Sequence, residues 1–261
     1  MIIRSNDFAR SRRPTHPAVK LALIVTAASA VYACDYAASP TEPDSGTWGR
    51  ILPIVDVTPG VTTVCQIGIE ASLRVRVGTV AEPRTPQTVS VPDGQCAVVA
   101  TLDPARQDDV IVSIDEAPAL YYALDHIIFQ HGDDEPRTMR GVDGVSFEGT
   151  HGAVVTFFNN AAVNVCQRGT SATFQYQVGR NDEFHALSLG DGLCSRIATI
   201  RPAQADDVIV TVRQDEAPTR RLDGLELSIG GLASRMLNGT NSVSFEGLHG
   251  AVLTAHNVRT P

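Results

Sequence analysis

Lysine is almost missing from this sequence of 261 residues, in which Lys20 is the only one. If the N-terminal segment up to residue 33 is removed on maturation, the remaining chain has none. That excludes a phosphate-binding P-loop lysine and a Schiff-base lysine. Beyond residue 33 there are 16 basic and 28 acidic residues, a balance of −12. Such a surface repels phosphate backbones, so we expect no nucleic-acid partner.

Aromatic residues and the motifs of common enzymes are scarce as well. Phe, Trp and Tyr make up 5% of the chain, although 43% of it is hydrophobic, which is enough to bury a core. The sequence contains no G-x-S-x-G, H-E-x-x-H or C-x-x-C pattern, which are signatures of hydrolases and zinc sites. We therefore predict a protein that is not an enzyme and holds neither cofactor nor metal. A catalytic triad built from distant residues stays open.

The N-terminus has the pattern of an export signal. Residues 1–20 are polar and basic, and Leu21–Ala33 form an apolar run that is too short to span a bilayer. We predict that residues 1–33 are a signal peptide. Val31-Tyr32-Ala33-Cys34 resembles the lipobox of bacterial lipoproteins, with the bulky Tyr32 as a departure, and predicts lipidation of Cys34. Cleavage after Ala33 without lipidation is the alternative.

The next segment is acidic and rich in small residues and proline. Residues 34–47 have almost nothing to bury, so we predict a flexible spacer behind the lipidated cysteine. The membrane would then be a partner through this N-terminal anchor. The expected location is the cell envelope, either periplasmic or at the cell surface, with secretion as the alternative.

The rest of the chain is a duplication. Val145–Thr156 and Val243–Thr254 agree at ten of twelve positions with an offset of 98 residues, and Cys65-Gln66 matches Cys166-Gln167 at an offset of 101. We predict two domains, repeat one at residues 48–160 and repeat two at 161–261. The boundary is expected near Asn159–Ala162, and each domain is expected to fold alone.

The hydrophobic pattern within each repeat has a period of two. The alternating apolar residues are Leu73, Val75 and Val77 in repeat one, and Phe174, Tyr176 and Val178 in repeat two. This period predicts β-strands with one buried face, while glycine-containing turns separate seven or eight short strands per repeat. The predicted fold is all-β, with two tandem antiparallel β-sandwiches following the signal peptide and spacer.

The cysteines fit the duplication. Setting Cys34 aside leaves two in each repeat, and four cysteines allow three pairings. Each repeat should close by itself, which selects Cys65–Cys96 and Cys166–Cys194. The oxidising environment outside the cytoplasm permits such disulfides.

These features resemble a known family. Each repeat runs from Val-Cys through an alternating strand and Gly-x-Cys to a closing Gly-Ala-Val-x-Thr strand, and residues 152–160 (GAVVTFFNN) are similar to the end of SpaA-type, prealbumin-like repeats of bacterial surface proteins. The resemblance implies an Ig-like or prealbumin-like sandwich that serves as a stalk, spacer or adhesion module. Many such repeats carry a Lys–Asn isopeptide bond, which a mature chain without lysine cannot form. The disulfides would stabilise the repeats instead.

Several polar groups are candidate sites. Glu148 with His151 recurs as Glu246 with His249. A metal or acid–base pair is one interpretation. Since E-x-x-H with no third ligand spans a turn, we prefer hairpin-turn residues. Two adjacent aspartates occur at Asp108-Asp109 and at Asp206-Asp207. We interpret each pair as part of a solvated turn, and a calcium-binding loop is the alternative.

The function predicted from the sequence is that of an exported, lipoprotein-like envelope module with a structural or adhesion and binding role. Arg74 and Arg76, which are glutamine in repeat two, mark either a variable solvent face or a contact site of repeat one. One alternative function is glycan or small-ligand binding by loops at a sandwich end. Another is a hydrolase with its site between the repeats.

Overall fold

The computed structural model describes residues 55–79, 85–105, 109–180, 182–202 and 208–260. The predicted signal peptide, Cys34 and the spacer lie outside these ranges, as do Asp108, Asp206 and Asp207. Within the described ranges no helix is long and apolar enough to cross a membrane.

The described residues of repeat one form eight strands of its own and part of a ninth. The eight are β1 (Val61–Ile67), β2 (Ala71–Gly78), β3 (Gln87–Val91), β4 (Cys96–Thr101), β5 (Ile111–Glu116), β6 (Tyr122–His131), β7 (Arg137–Met139) and β8 (Gly144–Glu148). The ninth, β9, runs from Ala153 to Gly169 and enters repeat two without a break.

Repeat two repeats the same order of elements. The second part of β9 takes the place of β1, and β17 takes the place of the first part of β9. The strands are β10 (Ala172–Val178), β11 (His185–Leu189), β12 (Cys194–Ile200), β13 (Ile209–Gln214), β14 (Arg220–Ile229), β15 (Arg235–Leu237), β16 (Ser242–Glu246) and β17 (Ala251–Arg259). The duplication in the sequence is thus a duplication of the strand order.

Each repeat is a sandwich of two sheets. One sheet has four strands, in the order β3-β2-β5-β8 in repeat one and β11-β10-β13-β16 in repeat two. In the described ranges, the opposite sheets of the two repeats are joined through β9 into a single sheet of nine strands. The predicted all-β sandwich fold is confirmed.

Two strand pairs depart from the antiparallel arrangement. β1 lies parallel to the first part of β9, and β17 lies parallel to its second part; the other strand pairs in the described ranges are antiparallel. The opening and closing strands of each repeat are therefore neighbours that run in the same direction.

The alternating residues of β2 and β10 face the sandwich cores as the period of two indicates. Leu73 and Phe174 are fully buried and Val75 nearly so, while Val77, Tyr176 and Val178 are partly buried against the same cores. Burial of apolar side chains of this size is the main stabilising contribution in such a sandwich.

Two glycines after β8 and β16 are required by close packing. A Cβ atom on Gly149 would lie 2.5 Å from Leu102 Cδ1 and 2.7 Å from Val112 Cγ2. The equivalent atom on Gly247 would lie 2.5 Å from Ile200 Cδ1. At both places a side chain would collide with the core, which explains why this position is glycine in both repeats.

Candidate functional site

The opening strand of each repeat is held by a disulfide. Cys65 on β1 is bonded to Cys96 on β4, and Cys166 on β9 is bonded to Cys194 on β12. Each pair consists of directly opposite residues of two antiparallel strands. The two predicted disulfides are therefore present, and each lies within one repeat.

Strand β9 is the element that the two repeats share. Its residues 153–158 pair with β1, and its residues 163–169 pair with β17. Residues 159–162, where the sequence places the domain boundary, are thus inside a continuous strand. Ala161 and Ala162 are fully buried. Whether each repeat folds alone stays a prediction.

The parallel pairs have a mechanical consequence. When tension is applied to the two ends of a repeat, its opening and closing strands are pulled in opposite directions along their length. The load is then shared by all the hydrogen bonds between them, over six paired residues in repeat one and seven in repeat two. This geometry resists separation better than one in which the bonds break one at a time.

The segment between β5 and β6 ties repeat one to repeat two. The N–H of Ala162 donates to the carbonyl of Tyr121 at 3.0 Å, and the side chain of Asn164 donates to the carbonyl of Leu120. The Tyr121 ring lies against Gly231, where an added Cβ would be 2.8 Å from the ring. The two repeats therefore contact each other beyond the shared strand.

An ionic cluster extends this contact. The Asp125 carboxylate lies 3.6 Å from the Arg140 guanidinium and 3.7 Å from that of Arg201, which belongs to repeat two. It also lies 2.8 Å from Nδ1 of His126, whose buried ring stacks on Phe158 with centroids 4.2 Å apart. The contacts to the two arginines are long, so we assign them a modest contribution to stability.

In each repeat the glutamate of the Glu–His pair is the last residue of β8 or β16, and the histidine lies in the turn that follows. The N–H and hydroxyl of Thr150 both donate to the Glu148 carboxylate, and His151 Nε2 lies 3.5 Å from it. Burial acts to raise the pKa of Glu148, but the Thr150 hydrogen bonds and the His151 ring outweigh it and lower that pKa. His131 Nε2 is 2.8 Å from the backbone oxygen of the same glutamate.

These residues are turn residues, as interpreted from the sequence, but the turn is not a hairpin. β8 and β9 belong to opposite sheets, so the segment crosses the end of the sandwich. In the described ranges no three His, Cys, Asp or Glu side chains come together as a metal-binding group. His249 occupies the corresponding exposed place beside Gly230 in repeat two.

The outer faces of the four-stranded sheets are polar and differ between the repeats. Arg74 pairs with Asp115 on the face of repeat one, and Arg76 is exposed. On the face of repeat two, Arg213 bonds to Gln175 and lies 5.6 Å from the centroid of the half-exposed Phe184 ring. Arg74 and Arg76, which are glutamine in repeat two, thus lie on a solvent-facing surface. A role of this surface in contacts with a partner stays a prediction.

A shallow depression of about 260 Å³ lies in repeat two where β10 begins and β11 ends. Its lining consists of Ser171, Ala172, Thr173, Ser188, Leu189, Gly190 and Arg220. The Arg220 guanidinium already donates to the carbonyls of Ser171 and Asp215, at 3.1 and 2.8 Å. A glycan or small-ligand site at a sandwich end stays a prediction.

Buried polar side chains form a site that the sequence did not reveal. Glu116 and Asn159 come together in repeat one, where Gln66 is buried on the opening strand, and Gln167, Gln214 and Asn257 come together in repeat two. The signal that could have found them is the recurrence of Gln after Cys65 and Cys166, and of Asn in both closing strands, within otherwise apolar stretches.

Comparison with known proteins gives structural matches only. No family model and no curated protein match the chain. Among solved structures, the chain is similar to the major pilin protein T-13 from Streptococcus pyogenes, with 11% identity over 78% of this chain and 100% of that one and a TM-score of 0.33. A second structure of the major pilin from the same organism matches with 11% identity over 78% of this chain and 99% of that one, with a TM-score of 0.31.

A third structure is a bacterial adhesin from Mobiluncus mulieris that contains intramolecular disulfide, isopeptide and ester bond cross-links. It matches with 10% identity over 79% of this chain and 88% of that one, and its TM-score is 0.29. At these identities and TM-scores, what those proteins do is not carried over to this chain.

Proposed function

We propose that this protein is an exported, non-catalytic structural or adhesion module of the bacterial cell envelope. Lipid on Cys34 anchors it, residues 34–47 act as the spacer, and the two sandwiches extend the chain away from the membrane. An envelope protein or a glycan would be the partner that it holds or contacts.

The observation that carries this proposal is the arrangement of the terminal strands. In each repeat the opening and closing strands pair in parallel, and β9 is the closing strand of the first and the opening strand of the second. Force applied between the anchor and the far end would pass along β9 and load both parallel pairs. A disulfide holds the opening strand of each repeat to its other neighbour. This arrangement suits a module under tension.

Two features support export, namely the disulfides and the N-terminal segment. Disulfides persist in the periplasm and at cell surfaces, and are rare in the cytosol. The short apolar run at Leu21–Ala33, preceded by basic residues and followed by a cysteine, supports export with lipid attachment. Durable anchoring needs more than one acyl chain, which a processed lipoprotein carries.

The anchor gives a direct test of the proposal. In a lipoprotein-competent bacterium, the wild-type protein should sediment with membranes, while Cys34→Ser should move it to the soluble fraction because the acyl chains no longer attach. Thr41→Ser in the spacer is the matched control and should remain with the membranes. An unmodified N-terminus in the mass spectrum of the wild-type protein would contradict the anchor.

A further inference from the structure

The two repeats contain the same buried polar site with one chemical difference. The three positions lie on the opening strand, on the last residue of β5 or β13, and on the closing strand. The register of β2 with β5 and of β10 with β13 places Glu116 opposite Leu73 and Gln214 opposite Phe174, which are equivalent residues. Glu116 therefore corresponds to Gln214, so a carboxyl in repeat one replaces an amide in repeat two.

In repeat two the site is fully hydrogen-bonded. Gln214 Nε2 donates to Asn257 Oδ1 at 2.7 Å, and Asn257 Nδ2 donates back to Gln214 Oε1 at 2.9 Å. Asn257 Nδ2 also donates to Gln167 Oε1 at 3.0 Å. All three side chains are at least 95% buried. The reciprocal pair of bonds links β13 to the closing strand.

In repeat one only half of this pair is present. Asn159 Nδ2 donates to Glu116 Oε1. The oxygens Asn159 Oδ1 and Gln66 Oε1 are buried and have no donor among the described residues. Both of these side chains are fully buried, so an unpaired oxygen there is costly. The donor that Asn159 Oδ1 lacks is the one that Gln214 Nε2 supplies to Asn257 Oδ1 in repeat two.

A proton on Glu116 would supply that donor. A carboxylate can only accept hydrogen bonds, whereas a carboxylic acid has one O–H and then bonds much as a glutamine amide does. We propose that Glu116 is a proton-operated lock between β5 and β9. Its protonated carboxyl donates to Asn159 Oδ1 while Asn159 Nδ2 donates to Glu116 Oε1, and loss of the proton removes the first of these bonds. Repeat two makes the same two-bond connection without a proton.

The surroundings of Glu116 favour its protonated form. Burial raises its pKa to about 7, against a smaller lowering by the Asn159 hydrogen bond. The titratable and charged groups around it are Glu70 before β2, Arg74 and Asp115 on the β2 and β5 strands, Asp143 before β8, and Tyr121 and Tyr122 at the start of β6. Arg74 is engaged by Asp115, and burial followed by the nearby carboxylates raises the pKa of both tyrosines.

The direction of the pH effect follows from this pKa. Because the pKa of Glu116 is higher in the folded protein than its usual value of 4.5, its contribution to stability is fully present below pH 4.5 and is lost as pH rises through about 7. From this group alone, the ratio of folded to unfolded molecules should fall by on the order of 100-fold between pH 4.5 and pH 8. Repeat one is thus held more tightly in acidic surroundings.

Two reciprocal substitutions in the full chain test the lock. Urea unfolding of wild type and Glu116→Gln is compared from pH 4.5 to pH 8, since the difference between the two proteins removes the contribution of all other carboxyls. At low pH the two proteins should have similar folding equilibrium constants. Between pH 4.5 and pH 8 the constant of wild type should fall by about 100-fold more than that of Glu116→Gln. The reverse change, Gln214→Glu, should add a similar fall to repeat two.

Nuclear magnetic resonance of the protein with ¹³C-labelled glutamate carboxyls gives an independent reading. One carboxyl should titrate with a midpoint near 7 and should be missing from the spectrum of Glu116→Gln. No glutamate titrating above about pH 6 in the wild type would overturn the proposal. Equal pH dependence of wild type and Glu116→Gln would overturn it as well. If Glu116→Gln does not fold, the wild-type titration alone decides.

Discussion

Replacing both cysteines of repeat two by serine is expected to lower the free energy of unfolding by about 3–4 kcal/mol in the chain-entropy model. The Cys166–Cys194 bond closes a loop with a sequence separation of 28, and without it the unfolded chain regains the freedom of that loop. Urea unfolding of wild type and of the double Cys166→Ser, Cys194→Ser variant, followed by circular dichroism, measures the difference. The expected loss is a large fraction of the free energy of unfolding of a domain of this size.

The matched control is the same change at Cys65 and Cys96, whose separation of 31 predicts a loss of similar size in repeat one. Which repeat loses stability in each variant shows how strongly the two repeats are coupled. If each repeat folds alone, as the sequence predicts, the other repeat should be nearly unaffected. In the structure, however, Ile69, Ala71 and Tyr122 of repeat one pack into the core cluster of repeat two, so coupling between the two transitions measures that contact. A loss below 1 kcal/mol for both variants would contradict a stabilising role for the disulfides.

The second large effect is expected from a proline in the shared strand. Ala162→Pro removes the N–H that donates to the carbonyl of Tyr121 and places a ring at a fully buried position between two neighbouring strands. Because proline is not tolerated inside a sheet, we expect destabilisation on the order of 3 kcal/mol or more. Both repeats should lose stability, since β9 belongs to both.

The control for this change is Ala162→Gly, which keeps the N–H and should cost only about 1 kcal/mol. Thermal unfolding of the three proteins under identical conditions makes the comparison. If Ala162→Pro were no less stable than Ala162→Gly, residues 159–162 would be a linker and not part of a continuous strand.

The sequence predicted the elements of each sandwich but not the connection between them. Alternation at Leu73, Val75 and Val77 identifies a half-buried strand because side chains in a strand point to opposite faces in turn. The cysteine pairs could be chosen because the duplication makes one pairing consistent for both copies. These are local or repeated signals, which a single sequence contains.

The continuity of β9 could not be read from the sequence in this way. Asn159 and Asn160 interrupt an apolar run, and polar residues there indicate the end of a strand. In the structure Asn159 is buried and bonded to Glu116, so the strand continues. The parallel pairing of β1 with β9 is a long-range contact about 90 residues apart in sequence, which no local pattern encodes.

The counterpart of Glu116 in repeat two is obscured by a recurring four-residue motif. Asp-Glu-Ala-Pro occurs at residues 115–118 and again at 215–218, which pairs Glu116 with Glu216. The strand register instead places Glu116 with Gln214, and Glu216 is exposed beyond the end of β13. The motif is displaced by two residues from the general offset of 98, which pairs Glu116 with Gln214, and the strand register agrees with that offset.

Amide hydrogen exchange of residues 159–163 tests the shared strand most directly. If β9 is continuous and buried through both repeats, these amides should exchange as slowly as those of Val64–Gln66 and Leu253–Ala255, since opening them requires unfolding of the sheet. The exposed turn at residues 133–135 provides the fast reference. Exchange at 159–163 as fast as in that turn would mean that two separate sandwiches are joined by a flexible connection, and would contradict the load path through β9.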